Sequence, residues 1–95
     1  MVDSSDYVVE VSRQAQRSLR SLQKDRELLG RIDRVIRGLA LEPRPSGCKK
    51  LVRKQFDNLY RIRVGDWRIL YAIEDDRLVV LILDVIRRDQ AYRAR

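Results

Sequence analysis

The chain has 95 residues and a mass of 11.3 kDa, which allows one compact domain and no second catalytic domain. It carries 21 Lys and Arg against 14 Asp and Glu, a formal charge of +7, and 17 of the basic residues are Arg; this balance favours a polyanionic partner. Because His is absent and Cys48 is the one cysteine, a Ser-His-Asp triad, a His-containing zinc site and an internal disulfide are excluded. There is no apolar run of membrane-spanning length and no secretory signal pattern, so we expect a soluble cytoplasmic protein.

The first half of the chain predicts a strand followed by a helix. Tyr7–Val11 is a β-branched run that is typical of a strand, and Ser12 after it is a suitable helix N-cap. Apolar residues then recur at helical spacing, at Ala15, Leu19 and Leu22.

A second helix, antiparallel to the first, is predicted to end before Pro43, because the residue preceding a proline disfavours helical geometry. Its apolar stripe consists of Leu28, Leu29, Ile32, Val35, Ile36 and Leu39. Most arginines of the two helices lie off the apolar stripes, which we interpret as solvated helix faces.

From Lys49 the hydrophobic period changes from about 3.6 to 2, which predicts an antiparallel meander. The predicted strands are a short edge strand and three longer ones, at Lys49–Lys54, Leu59–Val64, Trp67–Ile73 and Leu78–Val85. The last strand is apolar throughout its first six residues, so we expect it to be central and covered on both faces. A short polar tail or helical turn follows Arg87. The fold class is therefore α+β, with residues 1–95 forming a single domain.

The dipeptide Gly65-Asp66 fixes the register of one hairpin, because a two-residue loop determines which residues face each other. It places Val64 opposite Trp67 and Arg63 opposite Arg68. One face of the hairpin then carries the apolar side chains that meet the helices: Tyr60, Ile62, Val64, Trp67, Ile69, Tyr71 and Ile73. The other face carries Arg61, Arg63 and Arg68.

Three guanidiniums on one face are unfavourable for the sheet, since directly opposed like charges destabilise it by up to ~1 kcal/mol. Two interpretations follow. The planar guanidinium forks match phosphate oxygens, so the cluster can be an anion site. Alternatively, the side chains extend into water or pair with one of three carboxylates, Asp84, Asp57 or Asp89.

The tail adds Arg87, Arg88 and Tyr92 to this surface. Tyr92 follows Arg88 by four residues, so the two share a face if the tail is helical. A ring beside guanidiniums suits single-stranded nucleic acid, since the ring stacks on an unpaired base and the guanidiniums bind phosphate. Otherwise Tyr92 is an incidental residue of an amphipathic tail.

The segment YRIRVGDWRILY at residues 60–71, followed by an acidic turn, a β-branched strand and Arg87-Arg88 with Tyr92-Arg93, resembles the RelE/ParE superfamily of type II toxins. The resemblance covers nearly the whole chain. It implies a toxin that an acidic antitoxin neutralises in a hetero-oligomeric complex. In the RelE branch, which it resembles most, the toxin is an mRNA interferase, an endoribonuclease that cleaves mRNA in the ribosomal A site.

That chemistry uses no metal and no cofactor: the ribose 2′-hydroxyl attacks the adjacent phosphate and leaves a cyclic phosphate and a free 5′-hydroxyl. The resemblance implies that Arg61 and Arg63 engage the scissile region, that Arg68 stabilises the phosphorane-like charge, that Arg88 assists the leaving oxygen and that Tyr92 stacks on a base. Further RNA contacts are predicted at Lys49, Lys50, Lys54 and Arg87.

Two departures from the family pattern concern the base and the tail. Arginine occupies both positions where a lysine could accept a proton, and a guanidinium with a pKa above ~12 is a poor base. The base is therefore unassigned, with Lys54, Lys50 and Asp84 as candidates, or positioning within the ribosome replaces it. Ile86-Arg87 stands where the family often has Gly-His.

Two other functions fit the same sequence features. A ParE-like poison of DNA gyrase shares the fold and much of the segment at residues 60–71. A non-enzymatic basic module that binds ribosomal RNA or DNA accounts equally well for the charge, since phosphate contacts give affinity without sequence information.

Overall fold

The computed structural model describes residues 6–52 and 57–89, which form two helices and a five-stranded sheet. The elements in chain order are β1 (Val8–Val11), α1 (Arg13–Ser21), α2 (Arg26–Gly38), β2 (Lys49–Lys50), β3 (Leu59–Val64), β4 (Trp67–Glu74) and β5 (Val79–Arg87). The sheet order is β1-β5-β4-β3-β2, with β1 parallel to β5 and every other pair antiparallel. The α+β class is confirmed, and the sheet is mixed rather than purely antiparallel.

Each helix begins after a side-chain cap, and Ser12 is the cap that the sequence predicts for α1. The Ser12 hydroxyl accepts the Ala15 amide at 3.0 Å and donates to the Leu83 carbonyl at 2.8 Å, so one side chain caps α1 and ties it to β5. The Asp25 carboxylate caps α2 by accepting the Leu28 amide at 3.1 Å. Helix α2 ends at Gly38, before Pro43, as predicted.

The core lies between the helices and one face of the sheet. Its fully buried side chains include Tyr71 and Ile69 from β4 and Ile32 from α2, each at 0% exposure. Strand β5 lies in the interior of the sheet, as predicted, since it pairs with β1 on one side and β4 on the other, while β4 is the middle strand. Coverage of its two faces is unequal, however: Val80 and Ile82 are fully buried, whereas Leu81 and Leu83 are only half-buried.

Strand boundaries differ from the predictions where pairing or backbone geometry intervenes. The predicted strand Lys49–Lys54 is too long: β2 contains only Lys49 and Lys50. One further backbone bond, from the Leu51 amide to the Leu59 carbonyl at 2.8 Å, ends the pairing where β3 begins. Residues 53–56 lie outside the described residues. Strand β5 starts one residue later than predicted because Leu78, with φ of 55°, closes the preceding turn in the left-handed region.

The loop between α2 and β2 is held in place by an arginine. Arg44 donates to both Asp75 oxygens, at 3.2 and 2.8 Å, and its Nε donates to the Tyr60 hydroxyl at 3.0 Å. The Tyr7 hydroxyl donates to the same carboxylate at 2.6 Å. The Tyr71 hydroxyl donates to the Pro43 carbonyl at 2.9 Å, so the loop is anchored to the sheet at neighbouring points.

The Arg44–Asp75 contact predicts a specific acid sensitivity. Hydrogen bonds from Arg44 first, and from Tyr7 second, lower the pKa of Asp75 from its ordinary 3.8 to about 2. Because the folded-state pKa lies below the unfolded value, the contact stabilises the fold above about pH 4, and this contribution is lost as the pH falls towards 2. Both partners are substantially exposed, so the contribution is about 1 kcal/mol or less.

Thermal unfolding of wild type and Asp75→Asn across this acidic range measures the effect. Wild type should have the higher Tm at neutral pH, and the difference should shrink on acidification. Asp76→Asn removes a carboxylate from an exposed neighbour in the same turn; it is the control and should leave the Tm at neutral pH close to that of wild type. A difference between wild type and Asp75→Asn that stays constant with pH would contradict the assignment.

Candidate functional site

The hairpin of β3 and β4 has the register that the sequence predicts. Val64 pairs with Trp67, Arg63 with Arg68, and Arg61 with Leu70. Gly65, the first residue of the two-residue turn, has φ of +61°, a conformation that glycine adopts without the steric cost of a side chain. The turn therefore places the arginines of both strands on the sheet face opposite to the core.

These three arginines surround a small pocket of about 180 Å³ together with two residues that precede β3 and one that follows β5. Its lining consists of Gly47, Lys49, Arg61, Arg63, Arg68 and Arg88. Lys49 enters because β2 places it directly opposite Arg61. Arg88 enters because its backbone amide donates to the Asp66 carbonyl at 2.7 Å, which holds the end of β5 against the hairpin turn. We call these six residues the arginine pocket.

The cations of the arginine pocket differ in burial. Arg68 forms the floor at 3% exposure, and its Nη1 donates to the Trp67 carbonyl at 3.3 Å. Arg61 is half-buried, whereas Arg63 and Arg88 are exposed. A buried guanidinium below exposed ones gives a concave positive surface, which suits an anion with several oxygens.

Three of the four arginines in the arginine pocket are not neutralised by carboxylates of the described residues. Within residues 6–52 and 57–89, Arg61, Arg63 and Arg88 form no ion pair. Asp84 instead accepts the Ser18 hydroxyl at 2.6 Å and the Val85 amide at 2.8 Å, while Asp89 lies 3.9 Å from Arg87. This arrangement favours the anion-site interpretation of the cluster over internal pairing.

The remaining predicted site residues are distributed as follows. Lys50 pairs with Tyr60, so by strand alternation it lies on the opposite face from Lys49. Arg87 pairs with Trp67 and does not line the arginine pocket. Lys54 and Tyr92 lie outside the described residues.

Sequence reasoning missed the part that the α2–β2 loop plays in the site. Gly47 and Lys49 line the pocket beside residues from β3, β4 and the end of β5. Gly47 has φ of +97°, so the loop reverses at a residue suited to that conformation. The Pro-Ser-Gly sequence before Cys48 was the available signal for this turn, but it does not reveal which face the turn approaches.

Comparison with known proteins identifies the family. Residues 9–92 match the family described as the ParE toxin of the type II toxin–antitoxin system parDE. The chain belongs to this family. This ParE-family protein is therefore a toxin of a type II toxin–antitoxin system, and the resemblance drawn from residues 60–71 is confirmed.

Individual relatives carry RelE names. The chain is 31% identical to toxin RelE of Mycobacterium tuberculosis over 93 residues, which cover 98% of this chain and 93% of that protein. The archaeal RelE–RelB complex from Pyrococcus horikoshii OT3 superposes with a TM-score of 0.74 at 30% identity, covering 87% of this chain and 96% of that one. The toxin–antitoxin complex RelBE2 from Mycobacterium tuberculosis gives 0.72 at 30% identity, with coverages of 87% and 99%.

Two negative findings apply to this ParE-family toxin within residues 6–52 and 57–89. Neither helix there has the length and apolar character needed to cross a bilayer. No three carboxylate or thiol side chains of the same ranges cluster as ligands for a metal ion.

The hairpin turn can be tested by a pair of glycine substitutions. Gly65→Ala should lower the free energy of unfolding by about 1–2 kcal/mol, because φ of +61° is unfavourable for an L side chain although the added Cβ meets only ordinary contacts. Gly38→Ala should raise it by about 0.4–1 kcal/mol, since Gly38 ends a helix and its Cβ would enter open space. Urea unfolding measures the free energy of unfolding of both variants. Equal changes in the two would show that the backbone conformation at Gly65 does not require glycine.

Proposed function

We propose that this toxin is a ribosome-dependent endoribonuclease that cleaves mRNA in the A site without a metal. The observation that carries the proposal is the arginine pocket, in which four guanidiniums and one amine surround about 180 Å³. The RelE names of relatives at 30% and 31% identity support the same activity.

The pocket has the chemistry needed for transphosphorylation. The 2′-hydroxyl loses its proton and its oxygen attacks phosphorus, while the bond from phosphorus to the 5′ oxygen breaks. The leaving 5′ oxygen takes a proton from water, and the products are a 2′,3′-cyclic phosphate and a 5′-hydroxyl. Negative charge develops on the non-bridging oxygens and on the leaving oxygen. Donors fixed in advance around that charge stabilise the transition state more than the substrate, and such terms are among the largest in catalysis.

The burial of each arginine suggests its role. Arg68 is buried and held on the central strand β4, so it would contact the non-bridging oxygens without reorganising. Arg61 and Arg63 project from β3 on the same face and would hold the scissile phosphate between them. Arg88, fixed to the hairpin turn through its backbone, would stabilise the leaving 5′ oxygen, and Tyr92 would stack on a base.

Lys49 is the proton acceptor that the geometry favours. It is the one primary amine lining the arginine pocket among the described residues, and an amine can release and accept a proton where a guanidinium cannot. Of the earlier candidates, Lys50 lies on the other face, and Asp84 is bonded to Ser18 and to its neighbour's amide. The third, Lys54, lies outside the described residues. In this role Lys49 would take the proton of the attacking 2′-hydroxyl.

The partners follow from the charge and from the relatives. The solved relatives at 30% identity are toxin–antitoxin complexes, and a net charge of +7 suits an acidic antitoxin that covers the basic face. We therefore propose a hetero-oligomeric complex with such an antitoxin, and action on the ribosome with mRNA in the cytoplasm.

A second candidate function is poisoning of DNA gyrase. It is favoured by one observation, the ParE description of the matched family. The arginine pocket is not needed for inhibition through protein contacts, so variants of the pocket distinguish the two activities.

The pocket is tested by replacing Arg61. We expect Arg61→Gln to slow mRNA cleavage in a translating extract by about 10²–10³-fold, the usual effect of removing one preorganised donor. Arg77→Gln removes the same charge from an exposed turn outside the pocket and should cleave like wild type.

Mapping of transcript 5′ ends measures cleavage, and the state of the DNA is followed in parallel. Wild-type cuts within the A-site codon, lost in Arg61→Gln, support the proposal. Intact transcripts accompanied by gyrase-dependent DNA breaks would replace it with the second function. Growth arrest without either lesion would favour a non-enzymatic binding module.

Lys49→Arg separates proton transfer from charge, because the substitution keeps a cation but removes a titratable amine. Single-turnover cleavage should fall by about 10²–10⁴-fold. Lys24→Arg, the same change at an exposed position between the helices, is the control. A Lys49→Arg protein that keeps the cleavage rate of wild type would eliminate Lys49 as the base.

A further inference from the structure

A second basic cleft lies between α2 and the turn of the β3–β4 hairpin. Its volume is about 380 Å³, and it is lined by Arg31, Arg34, Val35, Arg63, Val64 and Gly65. Three of the six residues are arginines, which come from two different elements. We call this group the helix cleft.

The helix cleft is built on rigid parts of the fold. Arg31 and Arg34 are three residues apart on α2, so they share one face of the helix. A Cβ placed on Gly65 would lie 3.6 and 3.7 Å from the two terminal nitrogens of Arg31, so this guanidinium packs directly against the hairpin turn. The core residues Ile32 and Ile36 fix the rotation of α2 and hence the direction of both arginines.

The charges of the helix cleft are not compensated within the described part of the chain. Arg31, Arg34 and Arg63 form no ion pair with residues 6–52 or 57–89, whereas Arg37 of the same helix pairs with Asp33 at 2.8 Å. The same helix thus neutralises one arginine locally and leaves two others to face an open cleft. This contrast sets Arg31 and Arg34 apart from the solvated helix faces that the sequence suggested.

The helix cleft and the arginine pocket share one lining residue. Arg63 lines both cavities, so an anionic chain held in the pocket reaches the cleft across one side chain. Arg31 also lines a separate depression, whose other lining residues include three carboxylates, Asp25, Glu27 and Asp66. The positive surface therefore extends from the arginine pocket over Arg63 to Arg34, and carboxylates border it beyond Arg31.

We propose that the helix cleft binds the ribose–phosphate backbone of RNA that extends from the arginine pocket. The inference rests on the proposed ribonuclease function for the position of the RNA, and it adds Arg31 and Arg34 as binding residues distant from the chemistry. Guanidiniums on a groove that tracks the backbone bind phosphates regardless of base sequence. The strand bound there is either the messenger or ribosomal RNA, which present the same backbone.

The test compares two double variants. The cleft variant is Arg31→Gln/Arg34→Gln. The control variant, Arg17→Gln/Arg20→Gln, also removes two positive charges, but from exposed positions on α1 outside both cavities. Binding is measured against salt concentration with two probes, a short 2′-O-methyl oligoribonucleotide that cannot be cleaved and purified ribosomes. Circular dichroism and thermal unfolding verify that each variant is folded.

The cleft variant should lower the log–log salt slope by about 1.4, since each phosphate contact on a single strand contributes about 0.7. This corresponds to roughly 25-fold weaker binding at 0.1 M salt, and the control should stay close to wild type. Loss with the oligoribonucleotide assigns the cleft to the messenger, and loss with ribosomes alone assigns it to ribosomal RNA. Either result supports the proposal.

Equal slopes for the cleft and control variants would overturn the proposal, as would a wild type that binds neither probe. Weakened binding to an acidic antitoxin with unchanged RNA binding would also overturn it, and would assign the cleft to the protein partner. A different result would contradict the proposed ribonuclease function. If wild type bound RNA through the helix cleft but cut no transcript, the cleft assignment would hold and the ribonuclease function would be wrong.

Discussion

The two-residue turn at Gly65-Asp66 is the constraint on which the rest of this protein depends. Side chains alternate along a strand, so a slip of one residue in the hairpin would move every residue to the opposite face. Arg61 and Arg63 would then lie in the core, and buried side chains such as Tyr71 would face solvent. The positive φ of Gly65 permits the short turn, and the cost of burying charge makes the observed register the stable one.

The apolar face of the sheet also helps to complete the arginine pocket on the charged face, because it anchors the loop between α2 and β2. The apolar face packs against both helices and, through the Tyr71 hydroxyl, binds the Pro43 carbonyl. Arg44 holds the same loop to Asp75 and to the Tyr60 hydroxyl. The anchored loop then delivers Gly47 and Lys49 to the arginine pocket on the other face. Packing on the core side therefore positions groups on the charged side.

The concentration of cations on one surface works against stability. Arg63 directly opposes Arg68 across the ladder, and opposed like charges weaken a sheet. The fold tolerates this because the core beneath is continuous and because Ser12 and Arg44 tie distant segments to the sheet. A polyanion, whether RNA or an acidic antitoxin, would relieve the repulsion, so partner binding and stability of the fold are coupled in this proposal.

The sequence by itself determined the local features: the Ser12 cap, the end of α2 before Pro43, the register of the hairpin and the common face of its three arginines. Each depends on contacts between residues close in the chain or on strict alternation, which a sequence pattern records directly. Tertiary structure decided the parallel pairing of β1 with β5, the choice of Lys49 rather than Lys50 for the pocket, and the approach of α2 to Gly65. Those features depend on how separate elements pack together, and packing distances between segments far apart in the chain leave no periodic signal in the sequence.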